Sequence, residues 1–181
     1  MPDHKIIFTG PVGAGKTTAI TAISDSPALS TDVRASDMTR EMKATTTVAM
    51  DYGVMVLEGG DKVHLYGTPG QERFDFMWKI LTQGGLGLVL LIDDSRPNPR
   101  GDMEFFLAAF EGFIRETHLA IGITKTDLRP GSSSRIDHYQ EPLQRAGLVV
   151  PVFEVDARKR SDILLLLEAL FFSLDPDLEM D

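Results

Sequence analysis

Near the start of the chain, Gly10-Pro11-Val12-Gly13-Ala14-Gly15-Lys16-Thr17 fits the pattern G-x-x-x-x-G-K-[ST] in full. The residue types dictate the chemistry. Glycines let successive backbone N–H groups turn inward around an anion. A short β-branched run, Lys5 to Thr9, precedes the pattern, and Thr17 to Ser24 reads as a helix, so the N-terminus of that helix adds partial positive charge. Lys16 is placed to reach outer phosphates, and the Thr17 hydroxyl is a hard oxygen suited to Mg²⁺. The phosphate-binding set is therefore Gly10, Gly13, Ala14, Gly15, Lys16, Thr17 and Thr18. The pattern does not choose the base.

The elements that must position this loop follow from periodicity. Val48 to Leu57 and Lys62 to Tyr66 read as strands joined by a Glu-Gly-Gly-Asp hairpin turn. A helix is expected over about Glu72 to Leu81. Leu86 to Ile92 is a near-continuous apolar run, as a central parallel strand requires. Asp102 is read as the cap of a helix carrying Met103, Phe106, Leu107, Phe110, Phe113 and Ile114 on one face. Leu119 to Ile123 and Val149 to Val155 are further strands. Helices are expected at Ile136 to Arg145 and from Ser161 or Asp162 to Leu174. This alternation predicts a three-layer α/β P-loop NTPase fold. The sheet is mostly parallel with one antiparallel edge hairpin, and helices cover both faces. The polar stretch Ser24 to Thr47 shows no sustained period and is read as a functional loop.

Two later segments stand at strand ends. Thr124-Lys125-Thr126-Asp127 follows the Leu119 strand, and Gly67-Thr68-Pro69-Gly70-Gln71-Glu72 follows the Lys62 strand. The first is similar to the guanine-reading N-K-x-D of Ras-like small GTPases, with Thr124 where that family usually has Asn. The second resembles the family's D-x-x-G-Q-E switch. Gly67 stands where most members have an Asp that holds a Mg²⁺-bound water. That loss, and the run Thr45-Thr46-Thr47-Val48-Ala49-Met50-Asp51-Tyr52, resemble the bacterial MglA-type branch associated with roadblock operons.

The resemblance implies a GTP/GDP molecular switch that hydrolyses GTP slowly with Mg²⁺, and a regulatory or effector partner such as a roadblock-type protein. It implies that Gly70 meets the γ-phosphate and that Gln71 orients the attacking water. Thr124, Lys125 and Asp127, with Ala157 in the loop Asp156-Ala157-Arg158, would read guanine. Asp127 is acceptor-only and suits the donors on the N1 and N2 edge of that base. Thr17 and Thr47 would ligate Mg²⁺, with Thr46 the alternative to Thr47. The metal site should be looser without an Asp at 67, or be completed by Thr68 or water. Arg34, Arg40 and Arg73 are read as solvated. Gly67 and Val12 leave room for a different class, a nucleotide-binding interaction module with negligible hydrolysis.

Composition narrows the setting. The chain has 181 residues, 43% hydrophobic and 25% charged, which suits one domain over 1–181 with an acidic tail, 175–181, expected to fray. A formal charge of −9 repels phosphate backbones, so nucleic acid is not an expected partner. Without cysteine there is no disulfide or thiolate chemistry. His4, His64, His118 and His138 lack metal-ligand spacing. No apolar run is long enough for a membrane anchor, and a cytoplasmic setting is expected. Asp93-Asp94 is read as closing a loop, and Met77 and Trp78 as helix packing or a partner surface.

Overall fold

The computed structural model describes residues 3–26, 29–30, 51–69, 75–129, 131 and 135–174. A seven-stranded sheet organises them: β1 (Asp3–Thr9), β2 (Leu29–Ser30), β3 (Asp51–Val56), β4 (Lys62–Gly67), β5 (Gly87–Asp93), β6 (His118–Thr124) and β7 (Val152–Glu154). The spatial order is β2-β3-β4-β1-β5-β6-β7. The pairs β4–β1–β5–β6–β7 are parallel, while β2–β3 and β3–β4 are antiparallel. The α/β architecture read from the sequence is the one observed. The antiparallel edge has one more strand than the hairpin expected, because Leu29–Ser30 pairs with Asp51 and Tyr52. A two-residue strand carries no alternation, so it left no periodic trace in the polar stretch.

Central strands are apolar because both faces are covered. Every residue of β5 is buried. Alternate residues feed two cores. Ile6, Phe8, Val89 and Leu91 join Ile20 and Ile23 of α1 (Lys16–Ile23) and Ile163, Leu167 and Leu170 of the last helix. Ile7, Leu88, Leu90 and Ile92 face Trp78, Met103, Phe106 and Phe110. Burying a side chain of this size contributes about 1.5–3 kcal/mol.

The helices of the second face are α2 (Asp75–Leu81), α3 (Pro99–Ala109), α4 (Glu111–Glu116) and α5 (Gln140–Ala146), with α6 (Arg160–Leu174) on the first. The start of α3 corrects the sequence reading. Asn98 is the cap, accepting from the Gly101 N–H at 3.0 Å, and Pro99 opens the helix. Asp102 lies in the first turn and binds Arg96 at 2.7 Å. Residues 136–139 form a 3-10 turn ahead of α5. Met77 and Trp78 are 1% and 4% exposed, so their faces pack inward. The Trp78 ring stacks 5.1 Å from Phe110, and its indole N–H donates to the Pro69 carbonyl at 3.0 Å. That bond anchors the end of the segment leaving β4. No helix among the described residues is long and apolar enough to cross a membrane.

Candidate functional site

The C-terminal ends of β1, β4, β5 and β6 converge, because the strands are parallel and in register. In open α/β sheets this edge is where loops are free to bind ligands. Gly10 leaves β1 with φ 144°, and a Cβ there would lie 2.1 Å from the Leu91 carbonyl oxygen of β5. Only glycine permits that approach. Gly15 enters α1 with φ 103°, where a Cβ would meet the Ala157 methyl at 2.8 Å. No acidic residue occupies the first turn of α1, and no side chain caps it. Its free N–H groups keep their pull on an anion.

Lys16 is 7% exposed and folds back over this loop, its Nζ donating to the carbonyls of Gly10 at 2.6 Å and Pro11 at 2.8 Å. Burial pushes its pKa down to about 8, opposed by the Asp51 carboxylate and assisted by Arg96. Arriving phosphate would compensate the burial by adding negative charge. The Thr17 hydroxyl donates to Asp51 Oδ2 at 2.5 Å. Thr68, suggested by the sequence as a metal group, is turned elsewhere. Its hydroxyl shares a 2.8 Å hydrogen bond with Thr9 and is buried.

A cleft of about 550 Å³ continues from the phosphate loop, lined by Ala14, Gly15 and Thr18, by Thr124 to Leu128 and by Glu154 to Arg158. This size suits a small organic ligand. Thr124, where an Asn was the family expectation, is buried and donates to the Ala14 carbonyl at 2.8 Å, tying β6 to the phosphate loop. Lys125 has φ 58° and sends its Nζ to the Gly13 carbonyl at 2.6 Å, with Asp93 Oδ2 3.4 Å away. Asp127 lies in a 3-10 turn (Thr126–Leu128) and is exposed on the cleft, not buried. Ala157 is nearly buried against Gly15. Arg158 is gripped by Asp156: its Nε donates to Oδ1 at 2.9 Å and its Nη2 to Oδ2 at 2.8 Å. These bonds hold the Asp156 carboxyl well below the usual range and raise Arg158.

Behind the cleft stands a polar knot. Asp94 is fully buried, and its N–H donates to the Thr124 carbonyl at 3.0 Å. Its Oδ1 accepts from the Tyr139 hydroxyl, whose pKa is raised by burial and by that bond. Arg129 and Arg135 approach its Oδ2 at 3.6 and 3.3 Å. The Arg129 Nε also donates to the Asp94 carbonyl, and its Nη2 to the Arg96 carbonyl at 2.7 Å. Asp93 accepts from the Ser95 N–H at 2.9 Å. Both aspartates thus brace the loops around 94 and 129.

Gly10, Gly13, Ala14, Gly15, Lys16, Thr17 and Thr18 form the phosphate loop and the start of α1, and Ala14, Gly15 and Thr18 line one cleft with Thr124, Lys125, Asp127 and Ala157. Gly70, Gln71, Thr46, Thr47, Arg34, Arg40, Arg73 and the tail 175–181 lie outside the described residues. Sequence reasoning missed Asp51, which the observed β3–β4 ladder sets opposite Gly67, one residue beyond the strand expected at Lys62 to Tyr66.

Fold and loop together define a P-loop nucleotide-binding protein. Residues 28–170 match the model of a family described as conserved hypothetical ATP binding protein, and the chain belongs to that family. It is also similar to the uncharacterized protein MJ1339 of Methanocaldococcus jannaschii, with 28% identity over 138 residues that cover 76% of this chain and 80% of the relative. The match corrects the resemblance drawn above. The chain is placed with ATP-binding proteins, not with the Ras-like MglA-type branch. The short strand-end motifs misassigned the branch. The expected roadblock-type partner rested on that resemblance and is not carried further.

Proposed function

We propose that this chain binds a purine nucleoside triphosphate with Mg²⁺, reads guanine through Asp127 and hydrolyses the terminal phosphate slowly. The observation carrying the base assignment is Asp127, an acceptor-only carboxylate at the cleft to which no described residue donates. Guanine offers two donors on adjacent ring positions, which a carboxylate accepts together. Adenine offers an acceptor at N1 and would set a lone pair against the carboxylate. The Lys125 stem, fixed by its bond to Gly13, lines the base cleft. The family's description favours a second reading, an adenine nucleotide.

The donor set fits a magnesium ion, since Thr17 and Asp51 offer hard oxygens beside the phosphate loop. Among the described residues no group of three or more His, Asp or Glu could hold a metal, so phosphate and water would supply most of its ligands. When bound, the ion would neutralise charge on the transferring phosphate. Thr17 would hold it, with Thr47 a further ligand. Lys16 would release the Gly10 and Pro11 carbonyls and donate to phosphate oxygens. Gln71 follows β4, whose end lies beside the phosphate loop through the bond from the Thr68 N–H to the Phe8 carbonyl, 2.9 Å. It is assigned to orient the attacking water, with Gly70 meeting the γ-phosphate.

Competition of GTP and ATP against a fluorescent nucleotide tests the base. GTP should bind roughly a hundredfold more tightly, because Asp127 accepts two donors from guanine and faces an acceptor on adenine. Asp127→Asn should weaken guanine and improve xanthine. Equal affinity for GTP and ATP, or tighter ATP, would replace this reading with the adenine one. Single-turnover hydrolysis tests the reaction: Gln71→Leu should slow it, and an unchanged rate removes Gln71 from the chemistry.

A further inference from the structure

Gly67 ends β4 without a side chain, at the strand end nearest the phosphate loop. Asp51 is its partner in the antiparallel ladder with β3. Residues directly opposite in such a pair point to the same face of the sheet. A Cβ built on Gly67 would lie 3.0 Å from Asp51 Cβ and 3.2 Å from Asp51 Oδ2. The Asp51 side chain thus fills the space that a side chain at 67 would enter.

Two observations point the Asp51 carboxylate at the phosphate end of the cleft. Its Oδ2 accepts a hydrogen bond from the Thr17 hydroxyl at 2.5 Å. Its own strand is pinned to α1, because the Asp25 N–H just past α1 donates to the Val54 carbonyl at 2.9 Å. A hydroxyl that donates its proton to a carboxylate keeps its oxygen lone pairs for a cation. An acceptor behind a metal-binding group fixes that group's direction and makes its oxygen a better ligand.

We propose that Asp51 is the carboxylate of the divalent-cation site, supplied from β3 across the strand pair in place of a side chain at Gly67. It is a positioning residue: it orients the Thr17 oxygen and accepts from water on the cation. This rests on the Mg²⁺-nucleotide reading above and names the residue that completes it. A corollary reverses the simplest expectation for position 67. An aspartate there meets Asp51 and the Ile20 methyl, which lies 3.1 Å from the built Cβ, so adding it alone crowds two carboxylates together.

The experiment measures Mn²⁺ affinity by electron paramagnetic resonance on the protein loaded with GDP, or with ADP if the competition assay selects adenine. Metal-free nucleotide affinity is measured in parallel in EDTA. Asp51→Ala should weaken Mn²⁺ by about 10- to 100-fold, the scale for an outer-sphere partner, while EDTA affinity changes little. Asp51→Asn, which keeps the shape and an acceptor, should fall between. Gly67→Asp alone should not tighten Mn²⁺, and the exchange Asp51→Gly with Gly67→Asp should recover part of the loss. Unchanged Mn²⁺ affinity in both Asp51 variants with nucleotide bound would overturn the proposal and leave the nucleotide reading standing. Wild-type protein that binds neither nucleotide would remove that reading and this inference with it.

Discussion

The two ends of the cleft are built differently. At the phosphate end the chain offers backbone: glycines pressed against Leu91 and Ala157, a helix start left bare, and one lysine folded inward. At the base end it offers side chains on two loops from distant parts of the sequence. Asp127 and Arg158 meet solvent, and the rigidity lies behind them, in the buried knot of Asp94, Tyr139 and Arg129. Phosphates are common to every nucleotide, so a rigid backbone cradle can be complete before binding. In the guanine reading proposed above, base choice would depend on one carboxylate remaining unpaired until the base arrives, which favours an exposed group on a braced loop.

The largest expected effect is at the cradle. Lys16→Ala removes the buried donor folded over the phosphate loop, and nucleotide affinity should fall by about 2–5 kcal/mol, roughly 30- to several-thousandfold. Fluorescence titration checks it, and a loss below tenfold would mean that backbone N–H groups alone carry phosphate binding. Gly10→Ala should cost about 2–4 kcal/mol of folding stability, since its Cβ meets a backbone oxygen that cannot step aside. A denaturation midpoint equal to wild type would show that the β1 exit has slack.

A smaller effect is expected behind the base. Tyr139→Phe leaves Asp94 Oδ1 without its donor in a fully buried place, costing about 1–3 kcal/mol of stability. Because the knot braces the loop and its residues do not line the cleft, the ratio of GTP to ATP affinity should stay within a few-fold of wild type. Urea melts and paired titrations separate the two. A collapse of base selectivity with little loss of stability would make Tyr139 part of the recognition surface.

The contrast also explains what was legible in the sequence. The phosphate loop is contiguous, and its glycines, lysine and threonine declare the turn and the helix start together. The buried strands announce themselves, as Leu86 to Ile92 does, because both faces are covered. Asp51 does not, because its role exists only through the register that sets it against Gly67. Taken alone, Gly67 suggested a weakened metal site. The β3–β4 ladder shows a side chain already standing there. Asn98 was overlooked as a cap because Asp102 lay nearer the apolar stripe. The family branch was misjudged on strand-end motifs, which report local loop chemistry more faithfully than descent.

The smallest expected effect is the subtlest test of the base end. Arg158 lines the same cleft as Asp127, whose carboxylate adds a minor share to the Asp156 effect that holds the guanidinium charged. A guanidinium free to swing could pair with Asp127 and compete with guanine. Asp156 prevents this by accepting from both the side chain and the N–H of Arg158, at 2.8 to 2.9 Å. Both residues are solvent-facing, so the bond is weak in stability terms and acts by direction. Asp156→Ala should therefore lower guanine-nucleotide affinity by roughly two- to fivefold, the scale of a single exposed ion pair, and added salt should shrink the loss. Removing Arg158 as well should restore affinity, since the competing guanidinium is then gone. Titrations of the single and double variants at low and high salt decide the matter. If the double variant binds no better than Asp156→Ala, then Asp156 acts on the nucleotide through the loop itself, and the open state of Asp127 needs no guard.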